Sequence, residues 1–386
     1  MTHNSGGKGS SITVRVPGRS YPVLIEEGLL ARAGEAIEEV AAGRKVFLLS
    51  DTTVWKLWGK ALRRALARYR PPVILIPSGE RHKRLATVEK ITGRLAALGA
   101  ERSSLLVAFG GGVVGDMGGF AASVYLRGID YVQMPTTLLA QVDASIGGKT
   151  GVNLTAGKNL VGTFYQPRMV LADPAVLRTL PERQLRAGLF EAVKCAVIGD
   201  PKLFEYLQNE RERILAREPE ALVRVIRAAA ALKSRVVSQD EKEGGLRRVL
   251  NFGHTLGHAL EAATRYLRFQ HGEAVAWGML GATRLAVEES LLSPADADRI
   301  TKLVVAYGPV PSLPTISAAA LTAHLAVDKK VRDGKIHFVL PCRVGEVKVV
   351  SGISTSRALG ALQEVGRENR FRRENRSRRR VRSVWR

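Results

Sequence analysis

At 386 residues the chain exceeds one average domain, and 45% hydrophobic with 25% charged residues is the balance of a chain that buries a sizeable core. No apolar run approaches the ~20 residues of a membrane helix. The lead MTHNSGGKGSS lacks a secretory apolar segment, and two cysteines, Cys195 and Cys342, exclude a disulfide framework or a cysteine-rich zinc site, so a reducing cytoplasm is expected.

A flexible lead is expected over residues 1–11. Ile12–Val16 and Tyr21–Ile25 read as strands around Pro17-Gly18, and Leu29–Ala42 has helical spacing. Lys45–Ser50 reads as a buried strand ending at Asp51. That carboxylate is placed either to accept ribose hydroxyls or to cap the helix beginning TTVWKLWGKAL. Val73–Ile76 is the next strand and runs into the polar turn Pro77-Ser78-Gly79-Glu80-Arg81-His82-Lys83. Helix Thr87–Leu98 follows. Strand and helix alternate, which predicts a parallel sheet with helices on its faces.

The stretch from Leu105 to Pro167 organises the rest. An apolar run to Phe109 meets Gly110, Gly111 and Gly112, and Gly115 and Asp116 follow. Gly110, Gly112 and Gly115 fit G-x-G-x-x-G, a turn where backbone N–H groups and a helix start can receive a phosphate; the same spacing also fits a packing turn. An acid about 20 residues later is usual in dinucleotide folds. Asp130 falls there but ahead of the strand Tyr131–Met134, which leaves Asp51 the better candidate. Thr136 and Thr137 offer hydroxyls after that strand. Asp143, Lys149, Asn153, Lys158 and Asn159, set among glycines, suit anions and polyols.

Met169–Asp173 reads as the last strand of this half, and the domain boundary is placed near Pro181. Long amphipathic helices are expected over Arg183–Ile198, Pro201–Leu215, Glu218–Gln239, Asn251–Leu267 and Glu273–Glu289. Pro-rich Val310–Pro314 leads to another helix, then to strands Ile336–Leu340 and Val347–Val349. The predicted division is therefore 12–180, 181–366 and a basic tail, 367–386. That tail holds ten arginines and two glutamates and is expected to be disordered. The net charge of +23 suits anionic metabolites; nucleic acid is expected at most as a non-specific partner of the tail, and no membrane partner is expected.

Chemistry concentrates in the second half. Glu191 and Lys194 share a helix face and by themselves read as a surface ion pair. His254 and His258 lie one helical turn apart, and His271 is close behind. Three of the chain's seven histidines within eighteen residues predict a divalent-metal site, and local spacing names His254 and His258 as ligands.

GGGVVGDMGGF, RGIDYVQMPTTLLAQVDASIGGKTGVN and GKNLVGTFYQP resemble the signature of the 3-dehydroquinate synthases, within the sugar phosphate cyclase superfamily. The likeness spans over sixty contiguous residues and continues at intervals to about Ser351. It implies a Rossmann-like α/β domain followed by a mainly α-helical domain, tightly bound NAD, zinc or cobalt, and a homodimer. The implied substrate is 3-deoxy-D-arabino-heptulosonate 7-phosphate, a phosphorylated sugar acid. Oxidation, phosphate elimination, reduction, ring opening and aldol closure would convert it to 3-dehydroquinate in the shikimate pathway. A sugar phosphate cyclase of other specificity and a metal-dependent polyol dehydrogenase are the alternatives.

Carried over residue by residue, the resemblance reassigns the metal ligands to Glu191, His254 and His271, and turns His258 toward the substrate. NAD contacts fall on Asp51, Ser78, Gly79, Glu80, Arg81, His82, Lys83, Gly112, Val113, Val114, Gly115, Asp116, Thr136, Thr137, Lys149, Lys158, Val176, Leu177, Arg178 and Thr179. Substrate contacts fall on Arg127 (toward a neighbouring subunit), Asp143, Lys149, Asn159, Lys194, Lys233, Arg247, Asn251, His258 and Lys329 or Lys330. His258, Glu243, Lys194 and Asp143 carry the proton-handling roles.

Overall fold

β1 (Ile12–Val16) and β2 (Arg19–Ile25) pair as a hairpin around Pro17-Gly18, and β2 hands the chain to a parallel sheet. The computed structural model describes residues 11–314, 331–332 and 335–368. Residues 1–10, the helix expected after Pro314, Lys329, Lys330 and tail residues 369–386 lie outside the described residues. The described residues form two compact units: those up to Gly188 with Glu210–Arg247, and Leu189–Asn209 with those from Arg248 onward.

In the first unit, a 3-10 turn at Leu29–Arg32 is followed by α1 (Ala33–Ala36) and α2 (Glu38–Ala41). The single helix expected over Leu29–Ala42 is therefore broken. Asp173 accepts the N–H groups of Gly28 (3.0 Å) and Leu30 (2.8 Å). The Gly34 carbonyl is taken by the Arg68 and Tyr69 side chains. Asp173 thus caps the start of the stretch, while the Arg68 and Tyr69 side chains claim a carbonyl that a continuous helix would pair internally.

Then come β3 (Val46–Asp51), α3 (Thr52–Ala65), β4 (Val73–Ile76), α4 (Leu85–Ala97), β5 (Leu105–Gly110), α5 (Gly112–Val124) and β6 (Asp130–Pro135). A hairpin, β7 (Lys149–Leu154) and β8 (Gly157–Phe164), occupies what the sequence reads as glycine-rich loop, and β9 (Met169–Ala172) closes the sheet. The seven-stranded order is β1-β2-β9-β6-β5-β3-β4, with every pairing parallel except β1 with β2.

β3 and β5 are buried along their whole length because both sheet faces are covered. Val46, Leu48, Leu105, Val107 and Phe109 join one core with Trp58 and Leu62 of α3. Phe47, Leu49, Leu106 and Ala108 join the other, with Ile91 of α4 and Met117 of α5. The period of two assigns alternate residues to opposite layers. A Cβ at Gly118 would stand 2.9 Å from that of Ala108, so a glycine there lets α5 lie against the sheet.

Asp130 opens β6 and ties down three arginines: Arg44 at 2.6 Å, Arg19 at 3.0 Å and Arg168 at 3.8 Å. Burial alone would raise its pKa. The Arg44 hydrogen bond and the Arg19 and Arg168 charges outweigh burial and hold it below the usual value. Its stabilising contribution is thus present above the unfolded-state pKa of about 3.9 and is lost as pH falls through the lower folded value. We expect Asp130→Asn to cost about 1–2 kcal/mol in urea unfolding at pH 7, and markedly less at pH 3. An equal cost at both pH values would contradict this account.

α6 (Glu182–Gly199) spans the division at Gly188. α7 (Pro201–Asn209) and α8 (Arg211–Leu215) break at Glu210, where one helix was expected. α9 (Pro219–Gln239) packs with the first unit, chiefly on β1. The second unit continues with α10 (His254–Ala263), α11 (His271–Glu288) and α12 (Pro294–Ala306); the sequence reading did not foresee α12. An antiparallel sheet, β10 (Val331–Arg332), β11 (Lys335–Arg343) and β12 (Glu346–Ser351), follows, and residues 355–368 are helical. α11 is buried nearly all round and begins with a reciprocal cap between Gln270 and Glu273. Its Gly278 faces the start of α10: a Cβ there would stand 1.8 Å from the Gly253 carbonyl oxygen.

Candidate metal and nucleotide sites

Within the second unit, α6 presents Glu191 and Lys194 one turn apart. Instead of forming a surface pair, both are buried, 0% and 2% exposed, with Nζ 2.6 Å from Oε2. Neither Glu191 oxygen receives a well-aligned hydrogen bond among the described residues. A buried carboxylate in that condition is costly unless another cation completes it.

Two histidines supply the remaining geometry. Gly253, at φ 77°, turns the chain into α10, so that His254 is its first residue; His271 is the first residue of α11. Their Nε2 atoms lie 3.8 Å and 3.6 Å from Glu191 Oε1. Ligands bound at about 2.1 Å in a tetrahedron stand about 3.4 Å apart, so small shifts would let one ion take all three. His258 lies one turn further along α10, and the ligating atoms of His254, His258 and His271 fall within 4.8 Å of one another. A metal therefore fits, with Glu191, His254, His258 and His271 as its possible ligands.

The other ring nitrogens are occupied. His254 Nδ1 lies 3.2 Å from the Phe252 carbonyl oxygen, and His271 Nδ1 lies 3.1 Å from Glu261 Oε2. Glu261 is 2% exposed and went unnoticed in the sequence. Its signal was its place seven residues after His254 and three after His258, which puts all three on one side of α10.

Within the first unit, α5 starts at the glycine turn after β5. A Cβ at Gly111 would stand 2.9 Å from the Thr137 side chain, and one at Gly115 would stand 2.6 Å from Gln133 Oε1. Val114 is buried against Gly110, and Val113 is partly buried. Thr136 Oγ1 is buried without a hydrogen-bond partner among the described residues, and Thr137 Oγ1 accepts the Ala140 N–H. Asp51 caps α3: its Oδ1 accepts from Thr53 N–H (2.9 Å), Val54 N–H (3.0 Å) and Ser78 Oγ (2.6 Å), which leaves Oδ2 available for a hydroxyl. An orphaned hydroxyl and a glycine turn at the carboxyl end of a parallel strand fit a nucleotide.

Lys83 is 4% exposed and bridges Asp116 Oδ2 and Asn159 Oδ1, each at 2.5 Å. Burial pulls the ammonium pKa down, but Asp116 and Glu80 outweigh it and the net direction is up, so Lys83 stays charged. Gly79, at φ 106°, turns the chain into Glu80, Arg81 and His82, and Glu80 accepts from Asn153 Nδ2 at 2.8 Å.

Val176 and Leu177 are core residues. Arg178 stacks 4.2 Å over the Trp58 ring, and Thr179 accepts the Trp58 N–H. Lys158 is half-buried on β8. Arg127 is exposed in a left-handed turn with Leu126.

A second first-unit cluster gathers cations around carboxylates. Lys233 of α9 meets Asp143 at 2.8 Å, and Lys149 pairs with Glu243. Arg247 is 2% exposed, donates to the Gly147 and Glu241 carbonyls, and has its pKa lowered by burial. Asp240 accepts three N–H groups across Gly244–Arg247 and fixes that loop. Asn251 belongs to the second unit, at the end of the 3-10 turn Leu246–Asn251.

A nucleotide-type α/β unit and a helical unit that gathers histidines on a buried carboxylate suit a metal- and nucleotide-using enzyme, and likeness to known proteins places the chain among the sugar phosphate cyclases. Residues 73–187 match the family model for the 3-dehydroquinate synthase N-terminal region, and residues 188–331 match that for the C-terminal region. The chain belongs to the 3-dehydroquinate synthase family. It is 49% identical over 353 residues to the 3-dehydroquinate synthase of Solibacter usitatus (strain Ellin6076), covering 92% of this chain and 98% of the relative.

Among solved structures it resembles the 2-epi-5-epi-valiolone synthase ValA of Streptomyces hygroscopicus subsp. jinggangensis 5008, which has NAD+ and Zn2+ bound. The TM-score is 0.83 at 32% identity, over 92% of this chain and 98% of that one. A 2-deoxy-scyllo-inosose synthase complexed with carbaglucose-6-phosphate, NAD+ and Co2+ gives 0.83 at 28% identity, over 92% and 100%.

Proposed function

We propose that the chain converts 3-deoxy-D-arabino-heptulosonate 7-phosphate to 3-dehydroquinate and phosphate. The observation that carries this reading is the meeting of Glu191, His254 and His271, drawn from three helices, in a chain whose first unit keeps the glycine turn and an orphaned Thr136 hydroxyl. Identity of 49% to a 3-dehydroquinate synthase, against 32% and 28% to the two other cyclases, favours this substrate over theirs.

In the second unit, Glu191, His254 and His271 hold zinc or cobalt, and Lys194 balances the carboxylate. That ligand set leaves coordination positions for two neighbouring substrate hydroxyls. His258 stands beside the ligands as a proton-handling group. In the first unit, the turn Gly112–Asp116, Thr136 and Asp51 would hold the nucleotide, and Lys83 fixes Asp116 and Asn159. Lys149, Lys233 and Arg247 form an anion-binding set, with Asp143 and Glu243 as their proton-accepting neighbours. The bound metal supplies a Lewis acid that lowers the pKa of a ligated hydroxyl, and the bound nucleotide supplies a hydride acceptor that is regenerated each cycle. A homodimer in which Arg127 reaches the neighbouring subunit completes the proposal. Among the described residues no helix is long and apolar enough to cross a membrane, and neither Cys195 nor Cys342 is joined in a disulfide.

The test follows phosphate and NADH absorbance together. Phosphate release over many turnovers without net NADH, abolished by chelator and restored by zinc, is the expected result. Stoichiometric NADH without phosphate would replace the reading with a dehydrogenase. Turnover of sedoheptulose 7-phosphate or glucose 6-phosphate in preference would replace it with another cyclase.

A further inference from the structure

We infer that Glu261 is a positioning residue for the metal, fixing His271 so that its Nε2 faces Glu191. This rests on the metal reading above and adds a residue to it. Glu261 is 2% exposed within α10, and its Oε2 lies 3.1 Å from His271 Nδ1. A carboxylate at that distance accepts the Nδ1 proton, so the lone pair is on Nε2, the atom 3.6 Å from Glu191 Oε1.

The second histidine is fixed by different means to the same end. The Phe252 carbonyl oxygen, 3.2 Å from His254 Nδ1, can only accept, so His254 also keeps its proton on Nδ1 and turns Nε2 toward Glu191 Oε1 at 3.8 Å. The two partners are not equivalent. A carbonyl dipole orients its ring, whereas a carboxylate orients and also makes the imidazole a stronger donor. His271 is 31% exposed at its side chain, against 9% for His254, so its ring has more freedom to turn and more need of an anchor. A carboxylate buried at this depth is otherwise expensive, and a histidine that directs its far nitrogen at a cation is the partner that repays it.

The experiment uses the full chain without substrate. Zinc affinity is measured by competition with a chromophoric chelator, and the visible absorption of the cobalt-loaded protein reports ligand geometry. We expect Glu261→Ala to weaken zinc binding by about 10–100-fold. We expect Glu261→Gln, whose Oε1 still accepts the Nδ1 proton but carries no charge, to weaken it several-fold and shift the cobalt bands. The melting temperature of the metal-free protein should stay near that of the parent. Parental zinc affinity and cobalt spectrum in both variants would overturn the proposal. So would a fall in metal-free melting temperature with affinity unchanged, the mark of a purely structural role. If Glu261→Ala does not fold, the near-isosteric Glu261→Gln decides alone by the same two readouts. A parent that binds zinc but turns over no heptulosonate phosphate would refute the cyclase reading and leave this one intact; a parent that binds neither metal would refute both.

Discussion

We expect Glu191→Gln to remove metal from the purified protein and to lower turnover by about 10³. The Lewis-acid contribution of a bound metal is several kcal/mol, and about 4 kcal/mol corresponds to that factor. The amide keeps the shape of the carboxylate but neither its charge nor its partnership with Lys194. The Lys194 ammonium, 2% exposed, is then left without its buried counter-charge, and breaking such a pair costs about 3–5 kcal/mol. Urea unfolding and metal analysis separate the two effects. Glu191→Gln with Lys194→Met should regain part of the stability, since no buried ammonium is then left uncompensated, yet recover neither metal nor turnover. A single variant that retained one equivalent of zinc and parental turnover would remove Glu191 from the ligand set.

We expect Gly278→Val to destabilise the protein by about 3 kcal/mol and to weaken metal binding with it. A Cβ at position 278 would stand 1.8 Å from the Gly253 carbonyl oxygen and 2.9 Å from the Gly257 nitrogen. Neither is the end of a flexible side chain, so α10 must move, and overpacking of this kind costs about 1–3 kcal/mol, with the upper end expected against backbone. The first residue displaced is His254. Gly360→Ala is the control, because a Cβ there meets nothing within 4 Å and alanine favours a helix. Thermal unfolding with and without zinc checks both; equal melting temperatures for Gly278→Val and Gly360→Ala would refute the argument.

Much of the first unit was legible because its strands are buried on both faces. Val46–Asp51 and Leu105–Gly110 stand out as unbroken apolar runs, and turn residues bound them. What was not legible depends on distant partners. The stretch 29–42 carries helical periodicity, but Asp173, Arg68 and Tyr69 capture its backbone groups. The hairpin β7–β8 hides in a glycine-rich stretch because pairing, not composition, makes it a ladder: a Cβ at Gly162 would stand 1.9 Å from the Thr150 carbonyl oxygen. At the site, the histidine cluster was plain from spacing. The burial of Glu191 with Lys194 was not, since a three-residue interval looks the same on a wet helix face as on a dry one. Glu261 was hidden for the same reason.

The buried pair on α6 also bears on how the protein is made. Glu191 leaves the ribosome first, and His271 follows eighty residues later, an interval of about 4–16 s at elongation rates of roughly 5–20 residues per second. For the first sixty-three residues of that interval the carboxylate has no histidine to share a metal with, but Lys194 is synthesised almost with it and travels on the same helical turn. The nascent segment therefore carries its own counter-ion.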